Sequence, residues 1–186
     1  MTATFLTLPA DSAIDPSRPH LILVGLPGAG KSTVGRAVAA KLGRAFLDFD
    51  RELERREGAT VAEIFAEKGE PYFREKERAL TAELAALGGM VLSPGGGWIA
   101  DPESVALLRP RSRIIYLKVR PENALKRLGP DAAARPLLTR PDPLGELKRL
   151  LEQRQPHYSS ADVVIDVDMI AAQEVTDKVL ALARGG

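Results

Sequence analysis

The sequence predicts a mostly parallel, three-layer α/β domain with helices on both faces of one sheet. Three observations predict it: five short, continuous apolar runs, helical apolar periodicity in the intervals between them, and a glycine-rich turn directly after the first run. Unbroken apolar runs suit strands covered on both faces, which is what crossover helices produce. Right-handed crossovers are expected, while the pattern by itself leaves the strand order open.

The first run is HLILVGL at 20–26, and the segment STVGRAVAAKLG that follows the glycine-rich turn is apolar at helical spacing until Gly43 stops it. AFLDFD at 45–50 reads as the second strand, and VLSPGGG at 91–97 ends a third in a glycine cluster. RIIYLKV at 113–119 and DVVIDV at 162–167 supply the remaining two. Helical patterns fill the gaps: TVAEIFAEKG from Thr60, YFREKERALTAELAAL, PESVALL after Asp101, PENALKRL, PLGELKRLLEQRQ after Asp142, and a terminal helix through EVTDKVLALA. One internal segment, 129–143 (GPDAAARPLLTRPDP), is rich in helix breakers and is expected to form a mobile lid.

A chain of 186 residues suits one domain, expected here over 20–186, with residues 1–19 as a flexible extension that has no targeting role. With 26 basic and 25 acidic side chains the net charge is +1, so no broad field favours nucleic acid or an anionic membrane surface. Any anionic ligand must therefore be held locally. No apolar run is long enough to span a bilayer, and the absence of cysteine rules out disulfides and thiolate chemistry and suits the cytoplasm.

Residues Gly25 to Ser32, GLPGAGKS, match GxxxxGK[ST] and stand between a strand and a helix, where the mechanism of a phosphate loop requires them. Gly25, Gly28 and Gly30 let successive backbone N–H groups, Ala29 included, turn toward phosphate oxygens, and the helix N-terminus adds its dipole. Lys31 is placed to reach the β- and γ-phosphates and Ser32 to ligate Mg²⁺, with Thr33 as a neighbouring hydroxyl. Nucleotide binding follows from this loop, but the phosphoryl acceptor does not, because the loop serves many chemistries.

Ligands of open α/β sheets bind at the carboxyl ends of the strands. Strand alternation would put Asp48 and Asp50 on one side there, one able to hold Mg²⁺ through water and the other to accept a hydroxyl proton. Gly95, Gly96 and Gly97 mark a place where side chains would block the approach of a ligand, and Trp98 either walls that pocket or packs beneath it. His20 and His157 are read as packing residues without a catalytic role.

From about Leu21 to Asp166 the chain resembles the shikimate kinases. GLPGAGKSTVGRAVAAKLGRAFLDFD is similar to their phosphate loop, first helix and acidic strand end, EGATVAEIFAEKGEPYFREKE to their shikimate-binding helices, and SPGGGW, ARPLL and QRQPHY to their triple glycine, lid and late arginine motifs. The resemblance implies a P-loop fold with a five-stranded parallel sheet in the order 2-3-1-4-5, as in nucleoside monophosphate kinases. It implies transfer of a phosphoryl group from ATP to the 3-hydroxyl of shikimate, a step of chorismate and aromatic amino-acid biosynthesis, with Mg²⁺ as cofactor.

The same resemblance assigns residues. Lys31, Asp50 and Arg135 are the expected catalytic groups, with Asp50 on the ring hydroxyls and Arg135 on the transferring phosphate. Arg74 and Arg154 are expected on the shikimate carboxylate, Glu77 orienting Arg74, with Gly95, Gly96 and Gly97 along the ring. Gly28 to Thr33, Arg127 and Arg135 are expected around ATP, and Ser32 and Asp48 around the metal. The segment DVDMIAAQ after the last strand departs from the pattern, since it lacks the basic residue that often meets adenine in the family. A gluconate-kinase-like enzyme and a non-enzymatic ligand sensor are the alternatives. The expected partners are ATP and shikimate, without nucleic acid or membrane, and a monomer is expected.

Overall fold

The computed structural model describes residues 14–129, 138 and 141–184. Five parallel strands form one sheet: β1 (His20–Val24), β2 (Phe46–Asp48), β3 (Val91–Ser93), β4 (Ser112–Lys118) and β5 (Val163–Asp166), in the spatial order β2-β3-β1-β4-β5. The helices are α1 (Lys31–Leu42), α2 (Phe49–Glu57), α3 (Val61–Ala85), α4 (Pro102–Leu108), α5 (Pro121–Leu128), α6 (Pro143–Tyr158) and α7 (Ala172–Arg184). No helix among the described residues is long and apolar enough to cross a membrane. The order expected from the family resemblance is the order found.

Period-two alternation divides the core into two layers. Leu21 and Leu23 of β1, with Ile115 and Leu117 of β4, pack with Val34 and Val38 of α1 and Val175 and Val179 of α7. Ile22, Val24, Ile114 and Tyr116 face the opposite way, into a layer with Phe49, Leu53, Phe73, Leu80 and Trp98. Both layers bury their residues almost fully, and that accounts for strands without polar alternation.

Three expectations need correction. The second strand stops at Asp48 rather than Asp50. Asp48 is the N-cap of α2, its Oδ1 accepting from the Arg51 N–H at 3.3 Å, and Asp50 stands in the first helical turn. The two carboxylates reach one cleft through a helix start, so strand alternation is not what aligns them. His157 is exposed at the end of α6, and its neighbour Tyr158 is the buried residue. The docked part of the chain also begins before the expected boundary at residue 19. Asp15 to Arg18 lie against Gly88 and Gly89, the Gly89 N–H donates to Arg18 O at 2.9 Å, and Arg111 donates to Pro16 O.

The two helical patterns read between 60 and 87 run together in α3 but keep a break. Gly69 adopts φ 80° and ψ 166°, two residues before Pro71, so the helix changes direction there. Thr60 and Glu63 close a capping box at its start. The break lets the second half of α3 carry Arg74 and Glu77 to the glycine cluster after β3.

Candidate active site

A cleft of about 1050 Å³ runs along the carboxyl edge of the sheet, lined at its middle by Gly28 to Thr33. Gly30 caps α1 with φ 89°, in the left-handed region that other residues rarely enter. Its conformation turns the loop into the helix N-terminus, leaving the first backbone N–H groups of α1 without partners inside the helix. Lys31 Nζ donates to the carbonyls of Gly25 and Leu26 at 3.0 and 3.2 Å, so its ammonium lies back over the loop. Ser32 Oγ donates to Asp48 Oδ2, which brings the hydroxyl and carboxylate expected at the metal together.

On the β2 and β3 side the cleft carries Asp50, Arg74, Arg154 and the three glycines. Arg74 is fixed by its own helix: Nη1 donates to Glu77 Oε2 at 2.6 Å and Nη2 to Glu70 Oε1 at 3.1 Å. Arg154 comes from α6 and is buried. Each glycine lies under one of these groups. A methyl group on Gly95 would sit 3.1 Å from Asp50 Oδ1 and 3.0 Å from Glu77 Oε1, one on Gly96 would sit 2.7 Å from Arg154 Nη1, and one on Gly97 would run into the Arg74 guanidinium. The cluster thus keeps open the space in which three charged groups converge. Sequence reasoning reserved that space for a ligand and did not foresee the protein's own side chains there.

Glu77 is 2% exposed, and burial pushes its carboxyl up to about 7 against the pull of Arg74, with Asp50 and Asp101 adding to the rise. Its Oε1 has no hydrogen-bond partner among the described residues. Trp98 is wholly buried and does not wall the cleft. Its Nε1 donates to Thr81 Oγ1 at 3.1 Å, and Thr81 donates to Glu77 O at 2.8 Å, tying the glycine turn to α3. Tyr158, which sequence reasoning passed over, stacks on Tyr116 with ring centroids 4.5 Å apart and points its hydroxyl at Gly96 O, 3.4 Å away. Its place four residues after Arg154, on the same face of α6, was the available signal.

At the β4 and β5 side the cleft turns apolar, with Leu128, Leu138, Val167 and Ile170 in its wall. Arg127 lines this end, its Nη2 donating to Val167 O and, at 3.4 Å, to Asp168 O. Arg135 lies outside the described residues, as does most of the expected lid.

The cleft brings the glycine-rich loop at 25–32 together with the carboxylate of Asp50 and the guanidinium groups of Arg74 and Arg154, a set that suits phosphoryl transfer to a hydroxylated carboxylic acid. The family model for shikimate kinase matches residues 27–184. A shikimate kinase of Moorella thermoacetica is 44% identical over 149 residues, covering 80% of this chain and 85% of that protein. One from Pseudomonas entomophila is 45% identical over 150 residues, covering 80% and 87%. The solved shikimate kinase from Acinetobacter baumannii in complex with shikimate has a TM-score of 0.85 and 40% identity, covering 90% of this chain and 93% of that one. The chain belongs to the shikimate kinase family.

Proposed function

We propose that this enzyme transfers the γ-phosphoryl group of ATP to the 3-hydroxyl of shikimate, acting as a monomer in the cytoplasm. The observation that carries the reading is the convergence of Asp50, Arg74 and Arg154 over Gly95 to Gly97, in the same cleft as the phosphate loop. The family match and the shikimate-bound relative favour shikimate over the gluconate-kinase-like and sensor alternatives.

In this reading the loop from Gly28 to Thr33 cradles the phosphates, and Lys31 swings from its loop carbonyls to the β- and γ-phosphates when they arrive. Ser32 and Asp48 offer hard oxygen donors side by side, a set that fits Mg²⁺, which would offset the negative charge of the phosphates. Arg74 and Arg154 meet the acceptor's carboxylate, whose two oxygens match a guanidinium fork. Asp50 faces the acceptor hydroxyl and takes its proton as that oxygen attacks in line. Arg135, carried on the lid, neutralises charge on the transferring group, and Arg127 borders the nucleoside.

The test is a coupled ADP-release assay with shikimate as the only acceptor and gluconate in a parallel reaction. Shikimate-dependent ADP release, with the product phosphorylated at the 3-hydroxyl and turnover lost in Lys31→Ala, is the expected result. Turnover with gluconate alone, or none with either, would overturn it.

A further inference from the structure

The loop between β5 and α7 supplies the apolar end of the cleft through Val167, Ile170, Ala171 and Ala172, and it carries no cation of its own. Something must nevertheless fix it, because β5 is an edge strand and the loop leaves the sheet. The fastening is Asp168. Its Oδ1 accepts from the backbone N–H of Arg120 at 2.9 Å and from Asn123 Nδ2 at 2.8 Å, while Oδ2 accepts from Arg120 Nε at 3.0 Å. Its own N–H donates to Asp166 Oδ1 at 3.1 Å, and its carbonyl accepts from Arg127.

This side chain is only 9% exposed although it stands in a surface loop. Burial pushes its carboxyl up, but the hydrogen bonds from Arg120 and Asn123 outweigh burial and hold it below the ordinary range, so it stays ionised at neutral pH. The charge also lies at the N-terminus of α5, where the helix dipole favours an anion. Asp168 therefore ties the loop to the helix that bears Arg127, and both border the same end of the cleft.

The sheet order says which end this is. Phosphates belong at the loop after the central strand β1, and the acceptor groups stand on the β2 and β3 side, so the nucleoside must extend toward β4 and β5. We propose that Asp168 is a positioning residue for the nucleotide: it clasps the β5–α7 loop to the start of α5 and so sets the slot that receives the purine base. Without the clasp the loop wall and Arg127 lose their common anchor, and the base meets a slot of the wrong width. The inference rests on the reading that this cleft holds ATP.

The experiment compares the intact protein with Asp168→Ala and Asp168→Asn, measuring the Kd for ADP by titration calorimetry, both KM values, kcat and Tm. Asp168→Ala is expected to weaken ADP and raise the KM for ATP by about tenfold, with the KM for shikimate and kcat held within about twofold. Asp168→Asn keeps an acceptor for the Arg120 N–H and Asn123 but loses the ion pair, so its effect should be smaller in the same direction. An unchanged Kd for ADP, or KM values for both substrates rising together, would overturn the proposal. Should Asp168→Ala fail to fold, Asp168→Asn and Arg120→Ala decide by the same split. The ADP titration needs no acceptor, so a protein that binds ADP but ignores shikimate refutes the proposed function and leaves this inference standing on its own measurement.

Discussion

Gly97 lies directly beneath the guanidinium of Arg74, with no room between them for a methyl group. The backbone at Gly97 has φ −89° and ψ −14°, which alanine adopts without strain, so Gly97→Ala tests the contact and not the turn. The added carbon must displace Arg74 from its pairs with Glu77 and Glu70. The shift of the guanidinium should appear as a KM for shikimate raised by roughly tenfold, with the KM for ATP little changed. Steady-state kinetics with each substrate varied in turn would show it, and an unchanged KM for shikimate would refute the role given to this contact.

Arg74 and Arg135 should fail in different ways when changed. Arg74→Lys keeps the charge but loses the fork that meets a carboxylate with two hydrogen bonds, so it should raise the KM for shikimate far more than that for ATP. In the proposed reaction Arg135→Ala removes a cation from the transferring phosphoryl group, so it should lower kcat by about 10²-fold or more, toward the range of about 10³–10⁵ ascribed to arginine fingers. Arg135→Ala acting only on shikimate affinity at full kcat would reverse these assignments.

The fold was legible because its signals are local. An apolar run, a glycine-rich turn and a helical period identify strand, phosphate loop and helix without reference to anything distant. The site was legible where a motif names its partner, as Lys31 and Ser32 do. Asp48 and Asp50 do line one cleft, but a period-two argument cannot see the helix that begins at Phe49 and brings them there. Asp168 stayed hidden because its partners, Arg120 and Asn123, lie more than forty residues away and meet it only after β4 and β5 pair. The meeting of the three glycines with Asp50, Glu77, Arg154 and Arg74 was equally invisible, because those side chains come from α2, α3 and α6 and depend on the break at Gly69.

His20 is wholly buried at the start of β1, with Nε2 3.1 Å from Leu84 O and Nδ1 accepting from the Met90 N–H at 3.2 Å. These partners fix a neutral ring with its proton on Nε2, and burial lowers its pKa below 6.5. The folded chain then binds fewer protons than the unfolded chain, so this contribution to stability is present above about pH 6.5 and is lost as pH falls. His20→Phe leaves the buried Met90 N–H unpaired, at about 1–3 kcal/mol, while Leu84 O keeps the Leu87 N–H at 2.9 Å. Its Tm should drop by roughly 2–12 °C, with kcat and both KM values near normal once folded. A normal Tm would show that the pairing contributes nothing.

Glu77 should impose the opposite pH dependence. With its carboxyl pushed up to about 7 by burial, the native protein holds a proton that the unfolded chain, with an ordinary glutamate near 4.5, has already released. The contribution is fully present below pH 4.5 and is lost as pH rises through about 7. Its size is on the order of 3 kcal/mol, since each pKa unit is worth about 1.4 kcal/mol. Glu77→Gln removes the titration but keeps nearly the same volume and an oxygen that can accept from Arg74. Urea denaturation at several pH values between about 5 and 8 would compare the two proteins, and the difference between them cancels His20, which is common to both. The wild type should lose stability relative to Glu77→Gln across that interval, by up to about 3 kcal/mol. Parallel curves would mean that Glu77 is already ionised at acid pH, and that its ion pair with Arg74 outweighs the cost of burying it.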